Sequence, residues 1–143
     1  MLDRADPLQA KILERLEREE YGFLITVRPD GRPHAVPVCF LYESDSIIIF
    51  SVPNSVKVRN IRGNPRVCLA LDNFGFGEYF SVVIEGRAEL VDEHSLWLQY
   101  PPYDSKYMAL SQRMFGSDHV PEEFATQFSQ VIRMTQLKIR HDD

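Results

Sequence analysis

Residues 23–42, FLITVRPDGRPHAVPVCFLY, fix most of what this chain can become. Two apolar, β-rich runs meet at Arg28-Pro29-Asp30-Gly31-Arg32, where proline presets φ for a turn and glycine supplies the positive φ that closes it. A chain that doubles back here is committed to an antiparallel hairpin, Phe23–Arg28 against Pro33–Tyr42. Pro33 and Pro37 carry no amide hydrogen, so part of the return strand belongs at a sheet edge or a bulge. Glu43–Asp45 turns again into Ser46–Val52, whose Ile-Ile-Ile-Phe run predicts burial on both faces.

The remaining segments extend this pattern. Asp6 is placed to cap a helix, with Pro7 at its first position and Gln9 as a capping-box partner. Leu8, Ile12 and Leu16, with Leu13 beside them, give it one apolar stripe, and it should end near Glu20 with Gly22 just beyond. Asn54–Gly63 reads as a short helix closed by Gly63 and Pro65. Arg66–Asn73 reads as a strand and Phe74–Glu78 as a loop. Tyr79–Val91 reads as a long strand with Phe80, Val82, Ile84, Ala88 and Leu90 on one face. Gly86 interrupts that row, which marks a bulge or a close backbone approach. Helices are expected over Glu93–Tyr100, Ser105–Phe115 and Pro121–Gln130, and a closing strand over Val131–Ile139. The sum is a mainly β chain with flanking helices, a small barrel of antiparallel strands. One domain is expected over 1–143: an N-terminal helix (1–20), a barrel core (21–91), a helical segment (92–130) and a closing strand (131–140).

Composition narrows the function. A chain of 143 residues, 44% hydrophobic and 26% charged, can bury a core without staples. Its formal charge of −5, with no basic tail, argues against nucleic acid as a partner. No apolar run reaches membrane-spanning length, and MLDRADPLQAKILERL lacks a signal-type core, so a cytoplasmic protein is expected. Cys39 and Cys68 sit inside apolar runs and read as small buried hydrophobes. The histidines His34, His94, His119 and His141 show no ligand spacing, and no metal is expected. No Ser-His-Asp or Cys-His arrangement and no paired carboxylates stand out.

One place does suggest chemistry. Ser51-Val52-Pro53-Asn54-Ser55 leaves a strand and opens a helix, so the amides of Ser55, Val56 and Lys57 lack intrahelical acceptors. A phosphate there would gain backbone N–H bonds, a favourable dipole, and the hydroxyls of Ser51 or Ser55. Lys57 and Arg59 put positive charge on that first turn, where cations suit the dipole poorly. A bound anion makes them easier to explain, Lys57 above all; a solvated surface is the other reading. Phosphate contacts alone fall short. Three hydrogen bonds to a charged group give at most about 9 kcal/mol before binding entropy, against about 8 net for micromolar affinity. The balance has to come from a flat apolar group, for which Val36-Pro37-Val38 offers a surface.

The order FLITVRPDGRPHAVPVCF, then KVRNIRGNPRVCLAL, then VVIEGRAELV resembles the pyridoxamine 5′-phosphate oxidase-like, FMN-binding split-barrel family, including its deazaflavin-dependent branch. The resemblance spans about residues 20–91, with a weaker echo in Val131–Ile139. It implies a six-stranded antiparallel split β-barrel that dimerises, with two cofactor sites at the subunit interface. Backbone around Val36, Pro37 and Val38 and around Phe50, Ser51 and Val52 would edge the flavin ring. Lys57, on the K-x-x-N motif with Asn60, would meet the phosphate. Ser55 stands where many relatives carry a basic residue. The activity implied is an oxidoreductase that passes hydride from a reduced nicotinamide through FMN to a small organic acceptor. The alternatives are a deazaflavin-dependent reductase, with Arg59, Arg62 and Arg66 for the acidic tail, or a non-catalytic flavin- or haem-binding protein.

Further residues carry two readings each. His34 is either a flavin contact or an exposed strand-end histidine. Trp97, Leu98 and Tyr100 are either core or dimer packing, or a stack over the partner's flavin. Arg133 on the closing strand either reaches an anionic ligand or serves the surface.

Overall fold

Six strands form a closed antiparallel barrel in the order β1-β2-β3-β6-β5-β4. The strands are β1 (Tyr21–Val27), β2 (Pro33–Glu43), β3 (Ser46–Ser51), β4 (Arg66–Leu71), β5 (Val82–Val91) and β6 (Gln130–Arg140). Helices α1 (Pro7–Arg18), α2 (Val56–Gly63) and α3 (Glu122–Gln127) lie between or before them. This computed structural model describes residues 2–72, 80–92, 111–117 and 122–141. The expected loop Phe74–Glu78, the helix Glu93–Tyr100 and most of Ser105–Phe115 therefore lie outside the described residues. Of the third expected helix, Glu122–Gln127 is helical, and Gln130 already opens β6.

The hairpin forms as the sequence requires. Tyr21–Val27 pairs with Cys39–Pro33 in unbroken register. Gly31 takes a φ of 87°, and Asp30 Oδ1 accepts the Arg32 amide at 3.1 Å. Pro33 and Pro37 occupy the stretch of β2 that has β1 on one side only. Pairing with β3 is confined to Phe40–Glu43 against Ile49–Ser46. From Phe50 onward β3 instead follows β6, with Phe50 opposite Val131 and Ser51 opposite Gln130. The barrel wall therefore opens between residues 33–39 of β2 and the end of β3, and this gap is the split.

Alternation explains the core. Leu24, Val38, Phe40, Ile47, Ile49, Leu69, Val82, Ile84, Ile132 and Met134 point inward and are buried. Ile48 and Leu41 face the outer wall and are buried too, as the triple-isoleucine run implied. Asp6 caps α1 as expected, accepting the amides of Leu8 and Gln9. Gln9 does not complete a capping box; its Oε1 accepts the Asp3 amide at 2.7 Å instead. Ile12, Leu13 and Leu16 are buried, and Leu8 is left at the exposed start of the stripe.

Three glycine and cysteine readings need correcting. Gly22 does not stop α1, which ends in extended backbone at Glu19. It sits inside β1, where a Cβ would lie 3.0 Å from Leu69 Cδ1 and 3.2 Å from the Ala70 carbonyl oxygen; only glycine lets β1 approach β4 this closely. Gly63 does not cap α2; Asn64 does. Gly63 remains helical, and the Asn64 amide donates to the Asn60 carbonyl at 2.8 Å. Cys39 and Cys68 are half-buried on the outer wall rather than in the core, because they alternate with Val38 and Leu69.

Gly86 does mark an irregularity, but the surplus residue belongs to β6. Glu85 pairs with Lys138 and Arg87 with Thr135, so Gly86 faces both Gln136 and Leu137. Gln136 takes a φ of 52°, the left-handed conformation typical of a bulge. A Cβ on Gly86 would stand 2.8 Å from Met134 Cε and 2.9 Å from the Thr135 carbonyl oxygen.

Candidate functional site

The segment after β3 is built to start a helix without finishing its hydrogen bonds. Asn54 adopts a left-handed φ of 62°, which turns the chain and delays α2 to Val56, two residues later than the sequence implied. Its Oδ1 accepts from Arg62 Nη1 at 2.7 Å, which fixes the turn against the far end of the helix. Ser55 stands at the N-cap, yet its side chain makes no capping bond. Its hydroxyl meets the Ser51 hydroxyl at 3.0 Å, and Ser51 is fully buried. The first amides of α2 thus lack a side-chain acceptor within their own helix, beside the Ser55 hydroxyl and a Ser51 hydroxyl that also donates to the Val52 carbonyl at 3.0 Å.

Lys57 lies on this first turn, half-buried. Among the described residues no carboxylate pairs with it, and burial pushes its pKa below the ordinary lysine value. An ammonium held partly out of water without a counter-ion is an unfavourable arrangement that an anion would relieve. Arg59 is exposed, and no carboxylate among the described residues pairs with it either. Arg62 is engaged with Asn54, and Arg66 is exposed where β4 begins.

Asn60 faces the other way. It is 5% exposed, and its Nδ2 donates to Thr26 Oγ1 at 3.0 Å inside the barrel end. Thr26, fully buried, was missed from sequence, although a threonine at an inward position of an apolar strand signals a buried partner. The Asn60–Thr26 bond sets the distance between α2 and β1. Across β1, Thr26 pairs in register with His34, whose Nδ1 is buried and has no hydrogen-bond partner among the described residues.

The structure therefore gathers Ser51, Ser55, Lys57, Asn60 and His34 at the end of the barrel covered by α2. Val36 and Val38 point inward from β2 while Pro37 is exposed on its outer side. Their backbone and that of Phe50, Ser51 and Val52 form the two sides of the split; Val52 is 37% exposed. Arg133 is drawn elsewhere, 3.7 Å from Glu89 across the β5–β6 pair. Trp97 and Tyr100 lie outside the described residues.

A cavity of about 510 Å³ lies at the opposite end, under α1. There Tyr42 donates to Asp45 Oδ1 at 2.8 Å, and burial together with that bond pushes its pKa up to about 12. It contains none of the residues gathered around α2. Among the described residues there is no cluster of His, Cys, Asp or Glu able to hold a metal, and no helix long and apolar enough to cross a membrane.

Comparison with known proteins agrees with the fold. No curated protein matches the chain. Among solved structures, a Listeria innocua protein provisionally named a pyridoxamine 5′-phosphate oxidase is 26% identical, with a TM-score of 0.69 over 93% of this chain and 96% of its own. An F420 reductase is 24% identical, with a TM-score of 0.61 over 91% and 92% of the two chains. A FAD-binding protein of Mesorhizobium loti is also 24% identical, with a TM-score of 0.63 over 92% and 91%. The last two likenesses are of fold. The family model described as pyridoxamine 5′-phosphate oxidase matches residues 8–139, nearly the whole chain, and the protein belongs to that family.

Proposed function

We propose that the protein is a homodimeric, FMN-binding oxidoreductase that takes hydride from a reduced nicotinamide and passes it to a small organic acceptor. The observation that carries this reading is Lys57: half-buried, unpaired among the described residues, and set beside the Ser51–Ser55 hydroxyl pair and the uncapped start of α2. Those donors suit a phosphate monoester, and the open backbone edges of the split suit a flat ring beside it. Bound FMN would supply the hydride chemistry. The chain's own part is to hold and orient. Lys57, Ser51, Ser55 and the α2 amides meet the phosphate. Val36, Pro37 and Val38 line one side of the ring, and Phe50, Ser51 and Val52 the other. Asn60 acts through Thr26 to keep α2 at its distance, and the unpartnered His34 Nδ1 offers the ring a polar contact.

Replacing Lys57 by Ala is expected to weaken FMN binding about 10- to 150-fold, the worth of one hydrogen bond to a charged group. Riboflavin, which lacks the phosphate, should bind wild type and variant alike in a fluorescence-quenching titration. Equal losses for both ligands would remove Lys57 from the phosphate site. An anaerobic titration with reduced nicotinamide should bleach the flavin; binding without bleaching would leave a carrier rather than an enzyme.

The dimer rests on the outer wall. Tyr21 and Phe23 are each 46% exposed, and their neighbours across the sheet are Cys39, Pro37 and Ala70. This forms a contiguous apolar face that a second copy would cover. Sedimentation should give a dimer at micromolar concentration, and Phe23→Asp should give a monomer with weakened FMN affinity. A wild-type monomer that binds FMN normally would defeat the interface site.

A deazaflavin is the second reading. It is favoured by the likeness to an F420 reductase and by the exposed Arg59 and Arg66 near α2. Tighter binding of deazaflavin than of FMN, lost on Arg59→Ala, would select it.

A further inference from the structure

The outer wall formed by β4, β5 and β6 concentrates positive charge in a chain that is acidic overall. Arg66 pairs directly with Arg87 across the β4–β5 ladder, so two guanidinium groups share one face at neighbouring positions. Like charges set opposite one another in a sheet repel. Lys138 joins them from β6, and the three border a groove of about 430 Å³ whose other lining residues are Val67, Glu85, Gly86 and Gln136. Among the described residues, no carboxylate pairs with Arg66, Arg87 or Lys138. Glu85, the one acid in the groove, is held by Arg140 Nε at 3.0 Å. Gly86 lines the groove with backbone alone, its missing side chain lying on the inner face against Met134, and the surplus Gln136, with a φ of 52°, interrupts the β5–β6 register at the same place.

From these features we infer that the groove is a second anion site, taking a diphosphate-type ligand. Three cations around one acid that is already paired leave an excess of about three positive charges. A single carboxylate or orthophosphate would neutralise only part of that. A diphosphate spans two guanidinium groups and accepts paired N–H bonds from each. Arg66, which follows α2, stands near both places, but Ser51, Ser55 and Lys57 do not line the groove, and Arg87 and Lys138 belong to it alone. It stands whether or not FMN is the cofactor.

The test is calorimetric titration with inorganic pyrophosphate on wild type and on Arg87→Ala, Lys138→Ala, Glu85→Gln and Lys57→Ala. Wild type should bind pyrophosphate at least about tenfold more tightly than orthophosphate. Arg87→Ala and Lys138→Ala should each weaken pyrophosphate about tenfold or more. Glu85→Gln, which removes the competing acid, should tighten it, an effect a damaged fold does not mimic. Lys57→Ala should leave it unchanged. No measurable binding, equal affinity for the two anions, or a loss seen only in Lys57→Ala would overturn the assignment. The last result would place the anion at α2 without touching the flavin reading, which the riboflavin comparison tests separately.

Discussion

Replacing Arg15 by Ala should destabilise the protein by about 3–5 kcal/mol, the usual cost of breaking a buried charge network from one side. Arg15 is 3% exposed on α1. Its Nη2 donates to the Asp72 carbonyl at 2.5 Å and to Glu19 Oε1 at 3.1 Å, and its Nη1 donates to the Phe80 carbonyl. Asp72 follows β4 and Phe80 precedes β5, so one guanidinium fastens the ends of two neighbouring strands to the helix. Truncation would leave Glu19 and both carbonyls without this donor. Arg15→Lys should recover less than half of the loss, because an ammonium cannot serve three acceptors with fixed fork geometry. Urea unfolding of the three proteins reads this directly; a loss below about 1 kcal/mol for the Ala variant would show that water replaces the network.

Phe40→Ala should cost a similar amount, about 3–5 kcal/mol, for a different reason. Phe40 is 1% exposed and stands where β2 exchanges partners: its amide donates to the Glu20 carbonyl at 3.2 Å, and across the sheet it faces Ile49. Its ring fills the barrel at the corner from which the split opens. On the FMN reading proposed above, loss of the ring should reduce FMN affinity as well as stability, because the two edges of the split meet at this corner. Phe40→Leu should lose less than about 1.5 kcal/mol and keep most of the affinity. An Ala variant as stable as wild type would mean that the corner collapses without cost.

Much of the fold was legible because period-two alternation and turn chemistry act locally. The Pro29–Arg32 turn, the buried Ile47–Ile49 run and the irregularity at Gly86 each follow from a few adjacent residues. What sequence hid are interactions between distant segments. Arg15 looks like one more charge on an amphipathic helix until Asp72 and Phe80 are brought beside it. Gly22 looks like a helix stop until β4 is seen to pass within contact distance. The α2 site was legible as a set of residue types, since Ser51, Ser55 and Lys57 lie within seven positions. The division of labour within it was not. Asn60, grouped with Lys57 by motif, turns to Thr26 inside the barrel, a pairing across 34 positions that no local pattern encodes.

The surplus residue in β6 has one more consequence. On either side of Gln136, Met134 and Leu137 both face the interior, so a strand one residue shorter would keep every apolar contact on the correct side. The inward alternation would survive without that extra rung, while Gln136 itself lines the groove on the outer wall. Evolution could therefore flatten or hollow this surface by adding or dropping one codon, and acquire or discard a docking place for charged molecules without redesigning the protein beneath.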